Sequence, residues 1–366
     1  MSERQTFAPA LMNFGYWPEV QRGNERIVHD LAVELARRGH RPSIITSHPG
    51  RPAQTTEEGV RVVRNWRPPD APLRLRRVQE NLTHLPFSYL QLRRSLPDVA
   101  VAFFLTDAVA AARWSRETGR PAVYSFTGIF GRENVSNVRL RRRMIEIATR
   151  ETDAVLALSE AARDSIWRWL SIEARVIHPG VDLSRFEPGD RAPVPTIGCA
   201  ADAADGRKRV PLLVAAFALV RKELPNAELL LVEPGDHELA DELREAPGVR
   251  LMPRGIDTAQ TIFQSSWASV LPSEREAFGL VLIESLACGT PVVGTRDGAI
   301  PEIIDRPEIG RLFEGDERDL AEALLETLDL IDDASVPGAC RSRAGDFSIE
   351  RSATAHEDLF RELLEA

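Results

Sequence analysis

The sequence predicts an α/β protein of two Rossmann-like domains, and three observations carry that expectation. A chain of 366 residues suits two domains. Within about 40 residues of the start, a strand, a loop, a helix and a second strand follow one another, a βαβ unit that requires a parallel sheet. After a linker rich in Pro and Gly at residues 187–195, a second strand, loop and helix begin at residue 196.

Taken in order, residues 8–16 read as the first strand. A loop through Arg22 and Gly23 follows, with Asn24 as the expected N-cap of a helix whose Ile27, Val28, Leu31, Ala32, Leu35 and Ala36 share one face. Residues 42–46 form the next strand, and 59–65 an edge strand. Further strands are expected over 99–105, 121–126 (ending at Thr127) and 153–160, with helices over 107–116, after the basic cluster Arg139–Arg143 through Glu151, and around Trp167 and Trp169. In the second half, strand 196–201, the loop bearing Arg207, Lys208 and Arg209, and helix 210–221 repeat the pattern. Strands 227–233 and 249–255, the second ending in Arg254 and Gly255, helix 263–267, strand 268–271, and helices 320–330 and 349–364 complete it.

Composition narrows the function classes. With 43% hydrophobic and 28% charged residues, the chain is an ordinary globular protein. No basic start precedes an apolar core near the N-terminus, and no run approaches the ~18 apolar residues of a membrane span, so a cytoplasmic protein is expected. Cys199, Cys288 and Cys340 are scattered and odd in number, which fits a reducing compartment and no metal cluster. Nothing points to nucleic acid. The net charge of −9 hides an asymmetry: residues 1–185 hold 28 arginines, no lysine and 20 acidic residues (+8), whereas the remainder holds 18 basic and 35 acidic residues (−17). An anionic partner for the first half follows. Arg74, Arg76, Arg77, Arg93 and Arg94 flank leucines, Phe87 and Tyr89, and a second cluster runs from Arg139 to Arg143. Such stretches suit peripheral contact with an anionic membrane, or are solvated faces over buried leucines.

The stretch of residues 273–298, SEREAFGLVLIESLACGTPVVGTRDG, carries the densest pattern. A loop with Glu274 and Glu276 leads through Ala277, Phe278 and Gly279 into a helix opening near Leu280. Inside its apolar run stands one carboxylate, Glu284, and Gly289-Thr290-Pro291 stop it before a short strand. Glu284 then lies ~7–8 Å along the helix axis from its start. Free amides at that start form an anion site, and two carboxylates could bracket a bound phosphate while accepting hydrogen bonds from hydroxyls. The plain alternative is a solvated helix residue and an N-terminal charge favoured by the dipole. Likewise, three consecutive cations at a strand-to-helix loop suit a diphosphate, or are exposed residues at a helix start.

Residues 272–302 resemble the Glu-x7-Glu signature of glycosyltransferase family 4, the retaining nucleotide-sugar enzymes of the GT-B fold. The match includes Pro272-Ser273, Glu276, Phe278-Gly279, Glu284, Gly289-x-Pro291-Val292-Val293 and Pro301-Glu302. The likeness extends to the loop before Gly23, to Val181-Asp182…Phe186, and to the family's G-R-x-x-x-x-K-G pattern around Lys208. It implies two Rossmann-like domains with parallel sheets facing each other across a cleft: residues 1–187 on the acceptor side, 196–345 binding the nucleotide sugar, and 346–366 as a helix returning to the first domain. It implies a metal-independent hexosyltransferase needing no cofactor, with a UDP- or GDP-sugar as donor and an unidentified acceptor, a lipid or glycan precursor among the options. Glu276 is then assigned to sugar hydroxyls and Glu284 to ribose hydroxyls. Lys208, with Arg207 or Arg209, meets the phosphates, aided by Gly23, Arg22 and the amides of Ala277 to Leu280. Arg254 and Gly255 border the nucleotide base. Three positions depart from the family: Arg22 for a glycine, Thr127 where a histidine is common, and Ala201 near the family arginine. A nucleotide-sugar epimerase or glycoside phosphorylase of the same fold, and a non-catalytic nucleotide-sugar-binding protein, are the competing readings.

Overall fold

The computed structural model describes residues 5–20, 23–69, 81–132, 138–255 and 257–366. It divides into two compact units, one of Met1–Gly180 with Ile349–Ala366, the other of Val181–Ser348. The first boundary thus falls seven residues before the expected end at 187. Arg22 and the arginines at 74, 76 and 77 lie outside the described residues.

In the first unit, β1 (Pro9–Met12), β2 (Ser43–His48), β3 (Ala53–Glu57), β4 (Val60–Trp66), β5 (Val99–Ala102), β6 (Ala122–Phe126), β7 (Ala154–Ala157) and β8 (Arg175–Val176) form a sheet of order β3-β4-β2-β1-β5-β6-β7-β8. Every pairing is parallel except β3 with β4. All four residues of β1 and of β5 are buried, as strands covered by helices on both faces must be. The segment expected as an edge strand is instead internal: β4 lies between β2 and the hairpin partner β3, which the sequence hides because Ala53–Glu57 is polar and exposed.

Helix α1 (Gly23–Arg37) buries Ile27, Val28, Leu31, Ala32 and Leu35, the predicted face. Asn24 is not its cap. It lies in the first turn, and its Nδ2 donates to Asn13 Oδ1 at 3.0 Å, while Asn13 Nδ2 donates to Gly15 O and Glu25 Oε1. Helices α2 (Leu85–Ser95) and α3 (Leu105–Thr118) are joined by fully buried His84, Ser88 and Asp107, with Ser88 Oγ donating to Asp107 Oδ1 at 2.8 Å. Helices α4 (Arg139–Arg150) and α5 (Glu160–Leu170) follow β6 and β7.

In the second unit, β9 (Thr196–Cys199), β10 (Glu228–Val232), β11 (Val249–Met252), β12 (Ala268–Leu271), β13 (Val292–Thr295) and β14 (Gly310–Phe313) form a wholly parallel sheet of order β11-β10-β9-β12-β13-β14. Helix α6 (Val210–Glu223) leaves β9, α7 (His237–Glu245) and α8 (Thr258–Ser265) flank β11, and α9 (Leu280–Ala287) leaves β12. Then come α10 (Ile300–Ile303), α11 (Glu317–Leu328) and α12 (Val336–Gly345). Helix α7 escaped the sequence reading, although Asp236 caps it, accepting from the amides of Glu238 and Leu239. Helix α12 escaped because Pro337 and Gly338 in its first turn read as breakers. The linker is pinned by Arg191, whose guanidinium donates to the carbonyls of Phe263, Ser266 and Gly289.

The last helix, α13 (Ile349–Glu365), packs in the first unit against α1. Glu357 accepts from Arg38 and pairs with His40 Nε2 at 2.8 Å, and Phe7 meets Phe360 edge-on at 6.0 Å.

Candidate functional site

In each sheet the strand order reverses direction at one place. In the second unit, β9 and β12 are neighbours, and the chain builds outward from them in opposite directions. The loops leaving their C-terminal ends therefore diverge and leave a crevice, where ligands of open α/β sheets bind. Those loops are residues 200–209 and 272–279, the two stretches the sequence singles out for phosphate and sugar.

The structure brings them into contact. Lys208 Nζ lies 2.6 Å from Glu276 Oε2, the two side chains being only 20% and 17% exposed. A backbone bond from Glu274 N to Arg207 O, 2.9 Å long, ties the loops beside this pair. Arg209 continues the seam: Nε donates to Pro272 O at 2.6 Å, Nη1 to Glu274 Oε1 at 3.1 Å and Nη2 to Thr295 Oγ1 at 2.9 Å. Arg207 instead turns back to Asp205 at 2.6 Å. Burial tends to raise the Asp205 carboxyl, but the guanidinium and backbone amide of Arg207 outweigh it and hold the group below the usual range. Of the three cations, Lys208 is thus bound to the predicted sugar carboxylate, whereas Arg207 and Arg209 are engaged by protein acceptors.

The backbone of the 272–279 loop is shaped by close approaches. Arg275 has φ +54°, and its amide donates to Asp297 Oδ2 at 2.6 Å. Gly298, at φ +58°, passes so near that a Cβ there would lie 2.4 Å from Glu276 O. Only glycine fits that position. Gly279, at φ +103°, opens α9, and Phe278 is anchored beneath it, 2% exposed and edge-on to Phe347 at 5.5 Å. The first amides of α9 face this loop end, with Ala277 and Leu280 half-buried on either side. Ser273 is 1% exposed, and its Oγ has no hydrogen-bond partner among the described residues. Glu284, one turn into α9, is 1% exposed. It is not the solvated helix residue of the plain alternative, and its charge, after burial, helps push the Cys288 thiol up to about 12.

Arg254 and Gly255 follow β11 and are exposed; Arg254 donates to Glu233 O at 2.8 Å and to Asp202 Oδ1 at 3.1 Å. Ala201, near the position of the family arginine, is buried and offers no cation.

In the first unit the reversal lies between β1 and β5. Gly23 begins α1 after β1 and is exposed, while Thr127 follows β6 and is half-buried. Sequence reasoning missed what surrounds β1. Asn13, at its C-terminal end and fully buried, links Gly15, Asn24 and Glu25, and Phe14 packs on Phe104 after β5 at 4.4 Å. An asparagine closing an apolar strand was the available signal. Among the described residues no group of three His, Cys, Asp or Glu could hold a metal ion, and no helix is long and apolar enough to cross a membrane.

Two parallel α/β units, each with its strand order reversing at one point, define a protein of the double Rossmann-like class. The family described as Glycosyltransferase Family 4 matches residues 22–185, and that described as Glycosyl transferases group 1 matches residues 194–330. The chain belongs to these family-4 glycosyltransferases, with the GT-B fold. A D-inositol 3-phosphate glycosyltransferase of Saccharomonospora viridis is 32% identical over 300 residues, 75% of this chain and 66% of that protein. An N-acetyl-alpha-D-glucosaminyl L-malate synthase of Bacillus anthracis is 38% identical over 127 residues, 33% of each. The matches therefore span about two thirds or less of these relatives' lengths. In fold, the chain is similar to sucrose-phosphate synthase of Thermosynechococcus elongatus (TM-score 0.81, 20% identity, 98% of this chain and 99% of that one). It is also similar to Anabaena HepE in complex with UDP-glucose (TM-score 0.75, 18% identity, 98% and 99%).

Proposed function

We propose that this chain transfers a hexose from a UDP- or GDP-sugar to a small anionic acceptor, with retention at the anomeric carbon and without a metal ion. The observation that carries the reading is the contact of Lys208 with Glu276 at the reversal point of the second sheet, beside the start of α9 and the buried Glu284. As the donor C1–O bond breaks, its electron pair goes to the departing diphosphate. Lys208 and the first amides of α9 offset that charge, which is the largest stabilisation such a site can offer. Glu276 holds sugar hydroxyls and Glu284 the ribose. The acceptor hydroxyl bonds to C1 and passes its proton to the leaving phosphate. An anionic acceptor is favoured by the names of the relatives, an inositol phosphate and a malate enzyme, and by the net +8 of residues 1–185.

A panel of UDP-, GDP-, ADP- and TDP-sugars in a thermal-shift assay tests the donor. Release of free nucleotide that requires an added acceptor supports transfer; an altered sugar with intact nucleotide indicates an epimerase, and binding with no turnover over an acceptor panel indicates a binding protein.

One surface favours a second property, peripheral contact with anionic lipid. On α2, Leu90 is 45% exposed and Phe87 meets Trp66, itself 44% exposed. Arg93 and Arg94, one turn on, are exposed, and Arg93 acts on the Glu117 carboxylate. Liposome sedimentation should then depend on anionic lipid, and binding indifferent to lipid charge rejects it.

A further inference from the structure

We propose that Arg209 is the positioning residue of the donor loop: its guanidinium fixes residues 272–276 so that Glu276 is presented beside Lys208. This rests on the reading of Glu276 as the sugar ligand. At the place where the family pattern has a glycine after the lysine, this chain has an arginine in the left-handed region, φ +47° and ψ +38°. L-residues avoid that region, so the conformation persists only where the surroundings over-determine it. Here they do. One guanidinium donates to Pro272 O, to the Glu274 carboxylate and to Thr295 Oγ1, and lies 5.6 Å over the Phe313 ring. The acceptors come from the end of β12, from the loop and from β13, and the ring belongs to β14. The arginine therefore ties the loop that follows β12 to the sheet on its far side. Its side chain is 20% exposed, and its Nε reaches the carbonyl of Pro272.

The geometry separates this role from phosphate binding. All three donating nitrogens of the fork are already directed at protein acceptors, while the adjacent Lys208 is directed at Glu276. Losing the fork should loosen the sugar end of the site and leave the nucleotide end in place, because Glu284 stands inside α9 and does not depend on the loop.

The test is Arg209→Gly, which suits the backbone conformation and removes the fork, with Arg209→Lys as a second variant that keeps the charge. In isothermal titration, the Kd for UDP-glucose should rise tenfold or more in both variants, with that for UDP within threefold of wild type. Glu276→Gln should add less to Arg209→Gly than it costs alone, since both act on one contact. Equal weakening of UDP and UDP-glucose, or no weakening of either where Glu276→Gln weakens UDP-glucose, overturns the proposal. Hydrogen exchange without ligand keeps the test independent of the donor assignment. The amides of residues 273–276 should exchange at least tenfold faster in Arg209→Gly, and unchanged exchange overturns the positioning role even if the wild type ignores UDP-glucose.

Discussion

The two sheets obey one rule and differ in how they furnish their reversal points. In the second, the loops after β9 and β12 meet through charge: Lys208 on Glu276, Arg209 on Pro272, Glu274 and Thr295. In the first, the segments after β1 and β5 meet through Phe14 packed on Phe104, while Asn13 holds the turn after β1 through Gly15, Asn24 and the buried Glu25 carboxylate. A site that holds the proposed diphosphate needs fixed charge at a helix start. The second sheet's reversal point, the proposed donor side, is accordingly where single substitutions should matter most.

Lys208→Met gives the largest expected effect. If charge on the departing diphosphate is the main demand, nucleotide release with acceptor should fall about 10²–10³-fold, and Lys208→Arg should recover part of it. A loss under tenfold would move the burden to the α9 amides and narrow the contrast between the two sheets. Glu284→Gln comes next. The carboxylate is buried and assigned to ribose hydroxyls, so donor Kd should rise about tenfold, roughly 1.4 kcal/mol. Thermal shift by UDP-sugars reports it, and an unchanged shift would count heavily against the assignment.

This contrast also explains what the sequence made legible. Lys208, Glu276 and Glu284 stood out because charge and a helix start leave a dense local pattern, while their proposed roles came from the resemblance to family 4 and not from that pattern. Strand β12 was bounded correctly at 268–271 for the same reason: it is a short apolar run closed by Pro272. The hairpin strand β3 was not legible, since its AQTTE carries no apolar face and its pairing is set by β4. Nor could three adjacent cations reveal their separate tasks. Which of Arg207, Lys208 and Arg209 faces the crevice depends on the left-handed turn at Arg209, a tertiary decision.

Gly298→Ala tests how tightly the charged loop is held. A Cβ 2.4 Å from Glu276 O must push the loop aside, at about 1–3 kcal/mol including the φ strain. Calorimetry should show a lower Tm for the second unit, with weaker UDP-sugar binding; an unchanged Tm would mean that the loop yields freely.

The smallest effect separates the two units by their titration. His356, on α13 in the first unit, is pushed down to about 4 by burial, against which a bond from its ring to Ser352 O works only partly. A base whose folded value lies below its unfolded 6.5 stays neutral in the native state while the unfolded chain takes up a proton. Its contribution is therefore complete above pH 6.5 and is lost as pH falls toward 4, about 2 kcal/mol of it by pH 5. The second unit holds all three cysteines, each buried, with thiols pushed up by burial to about 11 for Cys199 and about 12 for Cys288 and Cys340. Five of the six tryptophans lie in the first unit and one, Trp267, in the second. Urea titrations at pH 7 and pH 5 can then follow tryptophan emission for one unit and thiol labelling for the other. The tryptophan midpoint should drop on acidification by more than the thiol midpoint, and His356→Gln should shrink the difference. Two midpoints that fall together would show that the units unfold as one, and the contrast between them would hold for ligand chemistry alone.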